Sequence, residues 1–100
     1  MYDYLIIDGY FGGTGIRNSV EGSYIDLAEL NLSTGLTDQI NLWLKNYSNE
    51  FFEEYKNIEK AKSLDQAGIE IAKKVMNERR LNKIEYYSDA TGERLFIVNA

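Results

Sequence analysis

The chain has 100 residues, 16 acidic against 11 basic, a formal net charge of −5, and no histidine, cysteine or proline. Those absences take imidazole and thiol out of any active site and exclude both a disulfide framework and every thiolate metal site. Acidity of this size opposes a phosphate backbone, which calls for a basic stripe, and favours either a basic partner or plain solubility.

From the N-terminus, Tyr2 to Asp8 reads as a strand, with Leu5-Ile6-Ile7 placing apolar groups on both faces. That run is too short for a signal peptide or membrane span and no basic segment precedes it, so the chain reads as cytoplasmic, with no membrane partner. Gly9-Tyr10-Phe11-Gly12-Gly13-Thr14-Gly15 predicts a turn or mobile loop. Ser23 to Leu27 reads as a short strand or extended segment.

A helix is expected next, with Ser33 as N-cap and Leu32 in the staple position. Thr37 is a rival cap, because Gly35 weakens the first turn. Leu36, Ile40, Trp43, Leu44, Tyr47, Phe51, Tyr55 and Ile58 recur at spacings of three and four, which carries the helix to about Asn57. Leu42 and Phe52 fall outside that stripe. Glu59-Lys60-Ala61-Lys62 reads as a charged connector, and Ser63-Leu64-Asp65-Gln66 as a capping box opening a second helix to about Leu81. Leu64, Ala67, Gly68, Ile71, Ala72 and Val75 form its expected inner stripe. Gly68 costs about 1 kcal/mol of helix propensity, so close packing is expected there.

Lys83 to Tyr87 and Arg94 to Val98 read as strands of a hairpin, joined through Asp89 and Gly92. One domain over 1–100 is expected, of α+β class. Two antiparallel helices should pack on one face of a small, mostly antiparallel sheet of three to four strands, with the first strand paired to the hairpin. Tyr4, Ile6, Phe96 and Val98 imply a second apolar face, to be covered by the 9–24 loop or by a partner.

Three constellations carry chemistry. The glycine loop lacks the Lys-Ser/Thr of a P-loop and the GxGxxG spacing, so it reads as a flexible connection or, given Tyr10 and Phe11, a recognition loop. Glu50, Glu53 and Glu54 lie among Tyr47, Phe51, Phe52 and Tyr55. Without histidine or a second carboxylate pair they read as a solvated helix edge or an acidic, aromatic interface rim. Glu85, Tyr86, Tyr87, Asp89 and Glu93 make a third patch in the hairpin, with Tyr86 inward and Tyr87 outward. The run Lys73 to Arg80 reads as a solvated helix face. There is no EF-hand spacing, so neither metal nor cofactor is expected. Acidity concentrates early: residues 1–33 hold Asp3, Asp8, Glu21, Asp26 and Glu29 against Arg17, five acids less one base, or −4.

Ile25-Asp26-Leu27 with Leu30-Asn31-Leu32-Ser33, then Trp43-Leu44 and Tyr47, Ala67-Gly68-Ile69-Glu70-Ile71-Ala72 and Glu85-Tyr86-Tyr87, resembles small bacterial immunity proteins of contact-dependent growth inhibition and related polymorphic toxin systems. The resemblance covers residues 24–92 and rests on hydrophobic and capping positions; residues 9–23 match no pattern. It implies a non-enzymatic protein that binds a cognate toxin domain, many of which are basic nucleases, and occludes its active site. An acidic plug fits such a surface. The expected partner-binding residues are Asp8, Tyr10, Phe11, Glu21 and Tyr24 near the loop, with Glu50, Glu53, Glu54 and Asp89. Two other readings remain: a regulatory or structural interaction module, such as a homodimer through the uncovered sheet face, and a small enzyme using Asp or Glu with Tyr.

Overall fold

A computed structural model describes residues 4–98. In chain order the elements are β1 (Leu5–Asp8), β2 (Ile16–Asn18), a 3-10 turn (Leu27–Leu30), α1 (Thr34–Phe52), α2 (Ile58–Arg79), β3 (Lys83–Tyr87) and β4 (Arg94–Val98). The strands form one sheet in the order β2-β1-β3-β4. The outer pairs are antiparallel and the central pair, β1 with β3, is parallel. This is the expected α+β architecture, with β1 paired to the hairpin. Tyr2 and Asp3, assigned above to the first strand, lie outside the described residues. The parallel pair follows from connectivity, because a long crossover through both helices separates β1 from β3.

The helices run antiparallel. Ser33 meets Glu78, Gln39 meets Lys74 and Trp43 meets Leu64 across them. Both cover one sheet face. Leu5 and Ile7 of β1 and Ile84 and Tyr86 of β3 join Leu36, Ile40, Trp43, Tyr47, Ile71 and Val75 in one core. The period-2 strands and the i, i+3, i+4 helix stripes meet there. Gly68 is packed as expected: a Cβ there would collide with the rings of Tyr86 and Trp43.

Several boundaries differ from the sequence reading. Ser33 is the N-cap of α1, its Oγ accepting from Leu36 N at 3.3 Å, while Thr37 lies inside the helix. The helix ends at Phe52, not near Asn57, because Glu54 and Tyr55 take left-handed φ of 59° and 55°. Tyr55 is held there by its N–H on the Glu50 carbonyl and its hydroxyl on Asp89. Ile58 therefore opens α2, capped by Asn57, whose Oδ1 accepts from Lys60 N at 3.1 Å. The expected connector at 59–62 is helical, and the Ser63 capping box falls inside α2. Ala67 is exposed, and Ala61 is buried in its stead. The unforeseen strand β2 extends the sheet, and its outer side is lined by Ser23 to Ile25.

The opposite sheet face is only partly covered. Register places Ile6, Asp8, Arg17, Lys83, Glu85, Tyr87, Arg94, Phe96 and Val98 on it. Tyr10 and Tyr24 reach over one corner, stacked with centroids 6.1 Å apart. Tyr4, Phe96 and Val98 stay exposed. Among the described residues no helix is long and apolar enough to cross a membrane.

Candidate functional site

Three connections converge at the carboxyl ends of the parallel strands β1 and β3: the 9–15 loop, the 53–57 link and the 88–93 turn. In sheets with parallel strands this end is where ligands commonly bind, because the strands fix the position of loops that are free to vary. Most of the residues singled out from the sequence meet here.

Asp8, the last residue of β1, sets the corner. It is 1% exposed. Its Oδ2 accepts from Arg17 Nε at 2.6 Å, and its Oδ1 accepts from the Tyr24 hydroxyl at 2.7 Å and Tyr10 N at 3.2 Å. The β1–β2 register brings Arg17 alongside, and the Arg17–Tyr24 bridge delivers the phenol. Asp8 thus shapes the loop from below, with its oxygens already bonded. Burial, then the hydrogen bond to Asp8, pushes the Tyr24 phenol far above its ordinary value.

Above it lies a cleft of about 430 Å³ lined by Asp8, Tyr10, Arg17, Tyr24, Tyr87 and Asp89, together with Gly22 and Arg94. Arg17 and Arg94 each face the Tyr87 ring, 5.6 Å and 5.9 Å from its centroid. Asp89 accepts from the Tyr55 hydroxyl, which ties the β3–β4 turn to the 53–57 link.

Beside the cleft, Phe11 of the glycine loop stacks on Phe51 at 5.5 Å and meets Phe52 edge-on at 4.8 Å. Phe51 and Phe52 are themselves in edge contact at 5.5 Å. The three rings come from segments forty residues apart in sequence, yet they remain 44%, 38% and 66% exposed. Gly9 makes the approach possible, since a Cβ there would strike the Tyr47 ring. Glu53 and Glu54 are exposed at the helix end immediately after these rings. Glu54 forms a surface pair with Lys56 at 3.6 Å.

The structure therefore joins Asp8, Tyr10, Tyr24 and Asp89 around one cleft and sets Phe11, Glu53 and Glu54 beside it. Glu50 is buried and lines a groove between the helices with Asn49, Asn57 and Lys60. Glu21 sits exposed in the turn after β2; among the described residues no hydrogen bond or ion pair joins it to the other candidates. Phe51, Phe52 and Tyr87 stood in the acidic, aromatic patches read from the sequence but not among the expected partner-binding residues, and Arg17 and Arg94 stood in neither. Phe52 had a signal: it is a large ring off the helix stripe. The cations had none, because only strand register brings them to Tyr87.

A second polar cluster lies inside. Asp65 of α2 accepts from the hydroxyls of Tyr47 at 2.8 Å, Tyr86 at 2.6 Å and Ser88 at 2.7 Å. Tyr47 also accepts from Ala90 N at 3.1 Å. Burial, then the bond to Asp65, pushes the Tyr86 phenol far up. Burial dominates at Tyr47 too, and its phenol is pushed up to about 12. Among the described residues no group of three or more acidic side chains is placed to hold a metal ion.

A scan against protein-family models, a search of curated proteins and a search of solved structures return no match for this chain.

Proposed function

We propose that the chain is a non-catalytic immunity protein of the cytoplasm that binds a cognate toxin domain and occludes its active site. The observation that carries the reading is the exposed triad of Phe11, Phe51 and Phe52 beside Glu53 and Glu54. Solvent-exposed rings in mutual contact, next to carboxylates, have the composition of an interface centre and its rim. Exposed aromatics left uncovered by the chain are a cost unless a partner desolvates them. The acids give complementarity to a basic surface such as that of a nuclease, and they speed encounter by steering. Asp8 supports the same reading from beneath. Its bonds to Arg17, Tyr24 and Tyr10 hold the loop in shape before binding, which lowers the entropy lost on association.

The test is co-purification and calorimetry with the toxin domain encoded immediately upstream. Phe11→Ala with Phe52→Ala should weaken the complex at least ~30-fold, the scale of a hot-spot loss. Glu53→Lys with Glu54→Lys should slow association and flatten its salt dependence. Absence of a complex, or affinity unchanged by all four substitutions, rejects the proposal.

A further inference from the structure

The two edges of the sheet are treated differently. On the β2 edge, Asn18 N donates to the Ser23 carbonyl and Ile25 N to the Ile16 carbonyl, both at 2.9 Å, so returning chain occupies that side. On the β4 edge no described residue pairs. Natural edges are usually blunted by proline, a bulge or a central charge. Here the β3–β4 register runs unbroken from Tyr87↔Arg94 to Lys83↔Val98, the chain has no proline, and the only charge on β4 is Arg94 at its start.

The direction of the free groups follows from one bond. Ser88 N donates to the Glu93 carbonyl at 2.9 Å, one step before the Tyr87↔Arg94 pair. Antiparallel pairs alternate between bonded and non-bonded. Tyr86–Leu95 and Ile84–Ile97 are then the bonded pairs. The N–H and C=O groups of Arg94, Phe96 and Val98 point away from the sheet.

We propose that this edge pairs with the same edge of a second copy, antiparallel about a two-fold axis at Phe96, to form a continuous eight-stranded sheet. That register is self-complementary. Phe96 exchanges both bonds with its counterpart, and Arg94 does so with Val98, so every outward group of Arg94–Val98 is used. Counting only Arg94–Val98, a two-fold at Leu95 gives Val98 no partner within β4, and one at Ile97 gives Arg94 none. The charges agree, because each Arg94 meets an apolar Val98. The two arginines stand roughly 14 Å apart, four residues at ~3.4 Å each, which is beyond a Debye length of about 8–10 Å. The side chains agree too. Phe96 and Val98, 56% and 64% exposed, become cross-strand neighbours on the open face. On the helix face Leu95, 44% exposed beside Ile69 in a groove of about 360 Å³, meets the second copy's Ile97. A single five-residue pairing is small for an interface, so the dimer is weak and forms in the tens to hundreds of micromolar. The contact lies on the strand farthest from β2 and leaves the Phe11 triad free.

The chain's lack of cysteine makes the register directly testable. Bonded antiparallel pairs have Cα atoms about 5.5 Å apart, inside the range a disulfide spans. Phe96→Cys should cross-link to itself under mild oxidation. Val98→Cys alone should not, whereas Arg94→Cys combined with Val98→Cys should. Sedimentation equilibrium of the unmodified protein should show dimer at ~100 µM, and Phe96→Lys should return it to monomer that stays folded, with only the small loss in melting temperature expected from removing the ring under Lys83 Nζ, 5.0 Å from its centroid. Three results overturn the proposal: a monomer up to ~1 mM, a dimer indifferent to Phe96→Lys, or equal cross-linking of Phe96→Cys and Val98→Cys. A fourth is a monomer whose toxin binding is abolished by Phe96→Lys, which assigns the edge to a partner's strand instead. Phe11→Ala leaves the dimer intact, so failure here and failure of the immunity reading are separable.

Discussion

Asp65 and Asp8 each gather tyrosine hydroxyls, but Asp65 does so between the helices and the sheet, and Asp8 where the loops meet. Asp65 binds only neutral donors, from α1 (Tyr47), β3 (Tyr86) and the turn after it (Ser88). Among the described residues no cation is bonded to it, although Lys62 and Arg94 line the same groove. Asp8 binds a guanidinium, one phenol and one backbone N–H, all from residues 10–24. The first carboxylate ties together elements distant in sequence and so belongs to global stability. The second organises one local segment and so belongs to the shape of the candidate site.

Alkaline pH should show the largest effect. Tyr24, Tyr47, Tyr55 and Tyr86 all have phenols raised above the ordinary value of 10, chiefly by burial. Below pH 10 both folded and unfolded chains keep these protons, so stability is unaffected. Above it the unfolded chain releases them and the folded chain does not, and stability falls as pH rises. The loss begins near pH 10 and continues through about 12, where Tyr47 ionises in the fold. Tyrosinate absorbance from these four should appear only with the loss of far-ultraviolet circular dichroism. Ionisation of all four in a chain that keeps its helical signal counts against both hubs.

Substitution then separates the two carboxylates. Asp65→Ala strands three hydroxyls between packed elements and should cost ~4 kcal/mol in urea unfolding. Asp8→Ala should cost less, about 2 kcal/mol, because Arg17 retains access to water. Its signature should be local: faster amide exchange at residues 10–24, with the α1–α2 core unchanged. If Asp8→Ala loosens the helices as much as Asp65→Ala does, the division between core hub and site hub is wrong.

The same contrast separates what could be read from the sequence. The apolar stripe of Leu36, Ile40, Trp43 and Tyr47, the Ser33 cap, the tight packing of Gly68 and the β3–β4 hairpin are local patterns, and each was legible. The break between the helices was not. It rests on left-handed Glu54 and Tyr55, neither of them glycine, held by a hydroxyl bond to Asp89 thirty-four residues away. Ser63-Leu64-Asp65-Gln66 has the composition of a cap, yet Asp65 is taken up by Tyr47, Tyr86 and Ser88. Strand β2 is three residues of mixed character whose pairing exists only because β1 lies beside it. Composition alone was enough to pick out Tyr10, Phe11, Glu53 and Glu54 as candidates for an interface. The internal role of Asp8 was hidden, since it depends on Arg17 and Tyr24 arriving through register.

Smaller changes test how far the site is independent of the core. Tyr55→Phe removes the hydroxyl bond to Asp89 and should cost ~1 kcal/mol, with earlier proteolysis at the 53–57 link. Phe11→Ala should cost least, about 0.5 kcal/mol, because its ring is already 44% exposed and touches only Phe51 and Phe52 among the aromatic contacts of the described residues. If the loss is that small, a ring stacked on another segment next to Gly9, which itself lies against Tyr47, is better accounted for by what it presents outward than by packing. A Phe11→Ala chain that loses ~3 kcal/mol, the scale of a buried core ring, contradicts that: Phe11 then belongs with the Asp65 core, and the triad is packing and not an interface.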